Sequence, residues 1–397
     1  MLNMNVLLTS PYFPAHLEKV AKALKNHGVN VLGVGDMPYD ELTDTLKGQL
    51  TEYFKVNNLE DTAEVTRAVA FLIYKHGPID RIESNNEHWL VLDATLREQF
   101  NVPGVKPADL TKTMYKSKMK KLFKQAGVPV VPGELVTDLQ SLDKAIKTLG
   151  GLPLIAKPDH GVGTSATYKL EHLDDVARFK RDWTQDVPYF LEPFVSDAEL
   201  CTYDGLIGRD NQIIYETTFY YNTPTLDHIQ GDADYAYTVE SEMDSQLRQY
   251  GRAIIKAFGM SERFFHIELF RKSDGEYVAL EYNNRSAGGH SIDLYNYAIS
   301  ADLYDIYAKI VTGQLTDIPT FTGRYAASIS RRDHVQYVHS DEEIRARYGE
   351  AITMHERLPD IFSDIMGDEV YVILSDSRTE ADEMTAFIHK RVEHKEA

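Results

Sequence analysis

The sequence predicts a mixed fold, an α/β unit with a parallel sheet followed by α+β units. Three observations carry this. The first hundred residues alternate strand and helix patterns. The later chain places strand patterns side by side. And 397 residues are too many for one ordinary core, so two or three domains are expected.

The elements follow in order. Asn5 to Thr9 reads as a buried strand, and His16 to His27 as an amphipathic helix stopped by Gly28. Strands are expected at Val29 to Val34, Glu52 to Val56 and Ile79 to Glu83. Helices are expected at Thr62 to His76 and Asn86 to Phe100. This βαβ rhythm implies a parallel sheet with helices on both faces. Thr111 to Ala126 reads as one lysine-rich helix, broken by Gly127-Val128-Pro129. Leu139 to Leu149 reads as a helix and Leu152 to Ala156 as a strand. After Pro319, Tyr325 to Ser330 and Glu369 to Ser375 read as strands, and Glu380 to Val392 as a helix.

The most informative stretch runs from His266 to His290. Two apolar runs flank Lys272-Ser273-Asp274-Gly275, which is the pattern of a β-hairpin. Alternation puts His266, Glu268 and Phe270 on one face of the first strand. It puts Glu281, Asn283 and Arg285 on one face of the second, opposite to Leu280 and Tyr282. Two carboxylates and an amide oxygen are hard ligands that suit Mg²⁺ beside substrate phosphates. Arg285 would stabilise a transferring phosphoryl group. Alone, a surface hairpin with solvated acids explains the pattern equally well.

Three further segments add weight. In Lys157 to Thr167, KPDHGVGTSAT, the glycines free backbone N–H groups to face a phosphate, and Lys157 adds a point charge. No Walker or GxGxxG signature is present. In Phe190 to Leu200, FLEPFVSDAEL, an apolar strand edge offers a slot for a flat base, with Glu199 placed for ribose hydroxyls. In Met114 to Val130, five lysines (116, 118, 120, 121 and 124) crowd one helix of a chain whose net charge is −19. Singly, each has a more common explanation: a hairpin loop, a solvated acid, a solvated helix face.

Together, in this order, the four segments resemble the ATP-grasp superfamily of carboxylate–amine ligases. The resemblance implies an ATP-grasp fold. It divides the chain into a Rossmann-like domain (1–108), an ATP-grasp domain (109–318, with a lid at about 128–192) and a small C-terminal α+β domain (319–397). It implies ATP and Mg²⁺ (or Mn²⁺) as cofactors. Lys116 and Lys157 match the phosphate lysines, and Lys118 competes with Lys116 through a two-residue slip. His160, Gly161, Gly163, Thr164 and Ser165 match the phosphate loop. Glu192, Pro193, Phe194 and Val195 match the adenine hinge, with Glu199 the ribose ligand. Glu268, Glu281 and Asn283 match the metal ligands. Arg285 matches the phosphoryl-stabilising arginine, and Gly288, Gly289 and His290 the substrate contacts. His266 and His290 have structural explanations as well.

Departures from the family's branches narrow the activity. The text after Asn283 is RSAGGH, without the VE of biotin carboxylases, and no biotinyl segment is present. The NxRxxGG form is similar to amino-acid ligases. The expected reaction activates a carboxylate as an acyl phosphate, joins it to an amine and releases ADP and phosphate. Alternatives are a purine-pathway or biotin-carboxylase-like enzyme, or a non-catalytic ATP-binding subunit. A purine-pathway ligase would need a basic sugar-phosphate pocket, for which Arg331-Arg332 is the candidate. Tyrosines and acids are dense from Thr217 to Glu240. They would line an acceptor pocket for a cationic or aromatic amino acid, or pack a hairpin.

The remaining expectations come from composition. The negative charge argues against nucleic acid and anionic membranes. Cys201 is the single cysteine, so no intrachain disulfide forms, in keeping with a reducing compartment. No bilayer-spanning run or signal peptide is evident, and a cytoplasmic location is expected. Partners would be small carboxylate and amine substrates, with a homodimer open.

Overall fold

The computed structural model describes residues 4–161, 166–222, 233–360 and 363–392. The first sheet is parallel and has the order β3-β2-β1-β4. Its strands are β1 (Asn5–Thr9), β2 (Asn30–Gly35), β3 (Glu52–Lys55) and β4 (Arg81–Glu83). Between them run α1 (His16–Asn26), α2 (Asp44–Gln49) and α3 (Thr62–His76); α4 (Leu90–Gln99) follows. Val6 and Leu8 of β1 join one core cluster with α1, whereas Leu7 joins another with α3 and α4. Helices therefore cover both faces, as the alternating pattern predicts. The α3 boundaries are chemical: the Asp61 side chain accepts from the N–H groups of Ala63 and Glu64, and Gly77 ends it at φ 90°.

Residues 107–125 form two helices, α5 (Pro107–Met114) and α6 (Lys116–Gln125), where one is expected. The break falls at Tyr115, whose backbone is extended at φ −102°, ψ 117°. The new N-terminus of α6 is tied elsewhere. Lys116 N–H donates to the Asp159 carbonyl (2.9 Å), and Ser117 N–H to the Asp159 carboxylate (2.7 Å). A carboxylate at a helix start also favours the helix dipole.

A four-stranded antiparallel sheet follows, ordered β5-β8-β6-β7. It comprises β5 (Glu134–Val136), β6 (Leu154–Pro158), β7 (Tyr168–Leu170) and β8 (Tyr189–Pro193). Its helices, α7 (Leu139–Thr148) and α8 (Leu173–Asp182), share one apolar core with it, including Leu142, Phe179 and Trp183.

The third sheet has nine strands. They are β9 (Ala198–Ile207), β10 (Ile213–Thr217), β11 (Phe219–Tyr221), β12 (Ala236–Val239), β13 (Arg263–Lys272), β14 (Tyr277–Asn283), β15 (Tyr325–Arg331), β16 (Ile352–Arg357) and β17 (Glu369–Ser375). The helices are α9 (Ser245–Phe258), α10 (Ser291–Ile299), α11 (Leu303–Thr312), α12 (Asp341–Tyr348), α13 (Ser363–Met366) and α14 (Arg378–Ile388). Through the pairing of β12 with β15, the strands after Pro319 continue the sheet of the hairpin. The last helix starts at Arg378, capped by Ser377, and ends at Ile388. The expected range, Glu380 to Val392, is thus shifted toward the cap. No described helix is long and apolar enough to cross a membrane.

Candidate functional site

The hairpin forms where the sequence places it. β13 and β14 pair antiparallel, with Glu268 opposite Glu281 and His266 opposite Asn283. A register shift follows directly after Glu268. Such bulges re-aim side chains and recur next to active sites.

The lysines converge on this pair of strands. Lys116 Nζ lies 3.3 Å from Glu281 Oε1. Burial alone would raise the Glu281 carboxyl, but Lys116, Lys157 and Arg285 outweigh it and hold the group below the usual carboxylate range. Burial pulls the Lys116 ammonium down, and Glu281 more than restores it, so its net shift is upward. Lys118 points elsewhere, with its ammonium over the Tyr115 ring at 4.7 Å. The structure thus separates the two lysines that the sequence leaves in competition.

One turn on, Lys120 is buried and reaches Glu192 Oε1 at 2.5 Å. Lys157 approaches the other oxygen, Glu192 Oε2, at 3.8 Å. Two cations therefore flank one buried carboxylate. Burial drives the Lys120 ammonium below its ordinary value, and Glu192 offsets this only in part. The sequence places Lys120 in the cluster but does not single it out. The i, i+4 spacing from Lys116 is the signal that shares its face.

The hinge and loop surround this centre. Pro193 ends β8, and Phe194 N–H donates to the Pro153 carbonyl at 3.1 Å. Lys169 sits 4.2 Å over the Phe194 ring. Val195 is half-buried in the irregular segment that follows. Glu199 is exposed, 3.3 Å from Arg271, and lines an open cavity with residues 271–275. His160 pairs with Tyr115, ring centroids 5.2 Å apart, and Gly161 follows it. Gly163, Thr164 and Ser165 lie outside the described residues.

On the other side of the carboxylates, His266 Nε2 is 3.4 Å from Glu268. Its Nδ1 is 2.8 Å from the buried Asp204, which also accepts from the Tyr295 hydroxyl at 2.6 Å. Burial alone would depress the imidazole, but Asp204 and Glu268 raise it to about 9. His266 is therefore a charged neighbour of the carboxylate pair.

Beyond β14 the chain turns toward the first sheet. Arg285 donates from Nη2 to Glu87 Oε2 at 2.6 Å, and from Nη1 to the Ser286 carbonyl at 2.7 Å. Asn85 bonds both Ser286 and His16. Gly289 has φ +63°, and a Cβ there would lie 2.4 Å from Met366 Cε. A Cβ at Gly288 would meet nothing within 4 Å. His290 Nε2 is 2.9 Å from Glu356, and Asp293 bonds Lys19 at 2.7 Å. Glu87, Lys19 and Glu356 come from segments far from the motifs and carry no signal of their own in the sequence.

Other expectations resolve as packing. Cys201 is fully buried, and burial pushes its thiol up. Arg331 donates to the Ile388 carbonyl at 2.9 and 2.6 Å, and Arg332 to the Ser363 carbonyl at 2.9 Å. Both are buried, so this pair ties the end of β15 to α14 and α13 and does not form an open basic pocket. In the tyrosine-rich segment, Tyr235 and Tyr237 are core residues, packed with Phe219 and Tyr221. Residues 223–232 lie outside the described ones.

The donor set fits Mg²⁺: two facing carboxylates and the buried Asn283, all oxygen ligands, with Lys116 beside Glu281. Comparison with known proteins bears on the fold. No family model matches the chain. The L-amino acid ligase structure from Bacillus licheniformis superposes with a TM-score of 0.73, at 14% identity, over 97% of this chain and 96% of that one. The chain has the ATP-grasp fold. N5-carboxyaminoimidazole synthetase from Staphylococcus aureus, complexed with ADP, matches this ATP-grasp chain with a TM-score of 0.72 at 18% identity, covering 97% of both. In sequence, an L-arginine-specific L-amino acid ligase of Bacillus subtilis is 24% identical over 242 residues, 58% of each chain. A D-alanine–D-alanine ligase of Corynebacterium aurimucosum is 26% identical over 181 residues, 44% of this chain and 48% of that one. The ATP-grasp chain thus spans about half to three-fifths of the length of these curated relatives.

Proposed function

We propose that the chain is an ADP-forming ligase that uses Mg-ATP to join a carboxylate to an amine, such as an amino acid. One observation carries this: Glu268 and Glu281 face each other across the hairpin, with Lys116 ion-paired to Glu281. The similarity to amino-acid ligases supports the substrate class.

In this reading Lys116, Lys157 and Lys120 exchange carboxylate partners for phosphate oxygens when nucleotide arrives. Glu281 and Glu268, with Asn283, would then be free to hold Mg²⁺, which would supply charge neutralisation for the phosphates. Arg285 swings from Glu87 to the transferring group. The substrate carboxylate attacks the γ-phosphorus, the bond to the bridging oxygen breaks, and ADP leaves. The amine then attacks the acyl carbon and phosphate departs. His160, Gly161 and the hinge from Glu192 to Val195 border the nucleotide and help exclude water that would hydrolyse the acyl phosphate.

The test is phosphate release from Mg-ATP with pooled amino acids, dipeptides and small carboxylic acids. At least one pool should release phosphate, and Glu281→Gln should abolish it while the circular dichroism stays that of the wild type. Comparable turnover in Glu281→Gln overturns the metal assignment. Sedimentation of the same sample distinguishes a homodimer from a monomer.

A further inference from the structure

Three adjacent strands lay out a polar grid on one face of the long sheet. β13 pairs with β14 on one side and with β9 on the other. In register, Glu268 lies between Glu281 and Thr202, and His266 lies between Asn283 and Asp204. Residues opposite each other, or two apart along a strand, share a face. The facing carboxylates thus continue into Thr202, and the row of Asn283 ends in a buried acid.

Asp204 is fully buried, a costly place for a carboxylate unless donors surround it. Its Oδ1 accepts from His266 Nδ1 at 2.8 Å. Its Oδ2 accepts from the Tyr295 hydroxyl at 2.6 Å and from the Thr202 hydroxyl at 3.0 Å. The ring it holds has little freedom. His266 is buried, and its plane lies within 14° of the Phe219 ring. With Nδ1 fixed on Asp204, Nε2 faces Glu268 Oε1 at 3.4 Å. No other hydrogen bond or ion pair to the Glu268 carboxylate is found among the described residues.

The two facing carboxylates are therefore held differently. Lys116 contacts Glu281 from a long, flexible stem and is able to leave for a phosphate. His266 has a short stem and is anchored from behind, so its contact with Glu268 persists. We propose that Asp204 is a positioning residue for the metal site: through His266 it fixes Glu268, so that one carboxylate oxygen stays open to the divalent cation that accompanies the nucleotide. This rests on the ligase reading, which makes Glu268 a metal ligand. Groups placed behind a ligand in this way set its orientation and the affinity of the site. Tyr295 braces the acid from α10, the helix that starts just after Gly288 and Gly289. None of the partners of Asp204 among the described residues is a phosphate lysine or a hinge residue. Its loss should therefore act on the cation and spare the nucleotide.

Calorimetry of ADP binding to the full chain, once with Mg²⁺ and once with EDTA, tests this. The ratio of the two dissociation constants measures what the cation adds, and it needs no turnover. Asp204→Asn keeps the volume and removes the charge. It should cut the ratio by about five-fold or more, toward the scale of a lost partner behind a metal ligand. Tyr295→Phe removes one hydroxyl from Asp204 and should cut the ratio by about two-fold or more. Binding in EDTA should stay near the wild-type value in both. An acid that serves the fold alone would lower Tm and leave the ratio unchanged. If folded Asp204→Asn keeps the wild-type ratio, the proposal is overturned; if that variant does not fold, the same result in Tyr295→Phe overturns it. A wild type whose ADP binding ignores Mg²⁺ overturns the metal assignment itself, and the proposal falls with it.

Discussion

Lys116 and Lys118 are two residues apart and lie in different surroundings. Lys116 is buried against Glu281, whereas Lys118 rests on Tyr115. Lys116→Ala should therefore lower kcat/KM for the ligase reaction by roughly 100-fold or more, the scale of one lost charge-stabilising donor. Lys118→Ala should stay within about two-fold, because a surface cation–π contact contributes little. Steady-state kinetics on the two variants decide the matter, and the reverse ranking would shift the lysine register by two. A second residue-scale expectation concerns pH. Burial holds the His16 imidazole down to about 4, despite the nearby Asp293. The folded state therefore refuses a proton that the unfolded chain accepts below its ordinary value. Stability is full above about 6.5 and falls as pH drops toward about 4. Between pH 7 and pH 5 the loss from this group is about 2 kcal/mol. Urea unfolding of the wild type and of His16→Gln at both pH values checks it; a slope that survives in the variant assigns the loss elsewhere. At this scale the sequence shows residue type but not partner. Glu268, Glu281 and Asn283 are legible because alternation along a strand is local. Lys120, Glu87 and Asp159 are not, because their partners lie 72, 198 and 42 positions away.

At the scale of elements, α9 carries an instructive glycine. An exposed helical glycine is stabilised by alanine by about 1 kcal/mol. Gly251 is buried in α9, and a Cβ there would stand 2.4 Å from the Tyr203 ring. Tyr203 is fully buried and donates its hydroxyl to Glu216 at 2.7 Å. The ring has no free end to move aside. Gly251→Ala should thus destabilise by about 1–3 kcal/mol, in the range of overpacked cores. Thermal unfolding provides the sign, and a raised Tm would mean that helix and sheet separate more readily than their packing implies. The same contrast between local and distant causes explains which elements were legible. The hairpin and the βαβ units follow from patterns within one element. The break at Tyr115 does not, since the lysine-rich run is continuous in pattern and its new helix start is tied to Asp159, just past the end of β6. The join of β12 to β15 is equally invisible, because it pairs segments 90 residues apart, Val239 with Ala326 being 87 and Ala236 with Ile329 being 93.

At the scale of the whole molecule, all three units contribute to one charged cluster. The lid sheet contributes Lys157 and Glu192, the long sheet contributes Glu268 and Glu281, and the first unit contributes Glu87 through Arg285. Lys116 and Lys120 enter from the helix between them. This distribution bears on the reaction class. In the proposed reading the hinge at Glu192 to Val195, with Glu199 beyond it, would hold the adenosine end, while Lys116, Glu281 and Arg285 stand at or near the hairpin end. On that reading the cations would meet the β- and γ-phosphates and would neutralise charge developing on a departing ADP. An adenylating enzyme instead places its attacking group at the α-phosphorus, which this arrangement leaves nearest the hinge. Product formation should therefore convert ATP to ADP and phosphate, and not to AMP and pyrophosphate. Phosphorus NMR of a reaction with an active substrate pair reads this directly. Primary appearance of AMP and pyrophosphate would contradict the acyl-phosphate route, and with it the roles given to Lys116, Glu281 and Arg285.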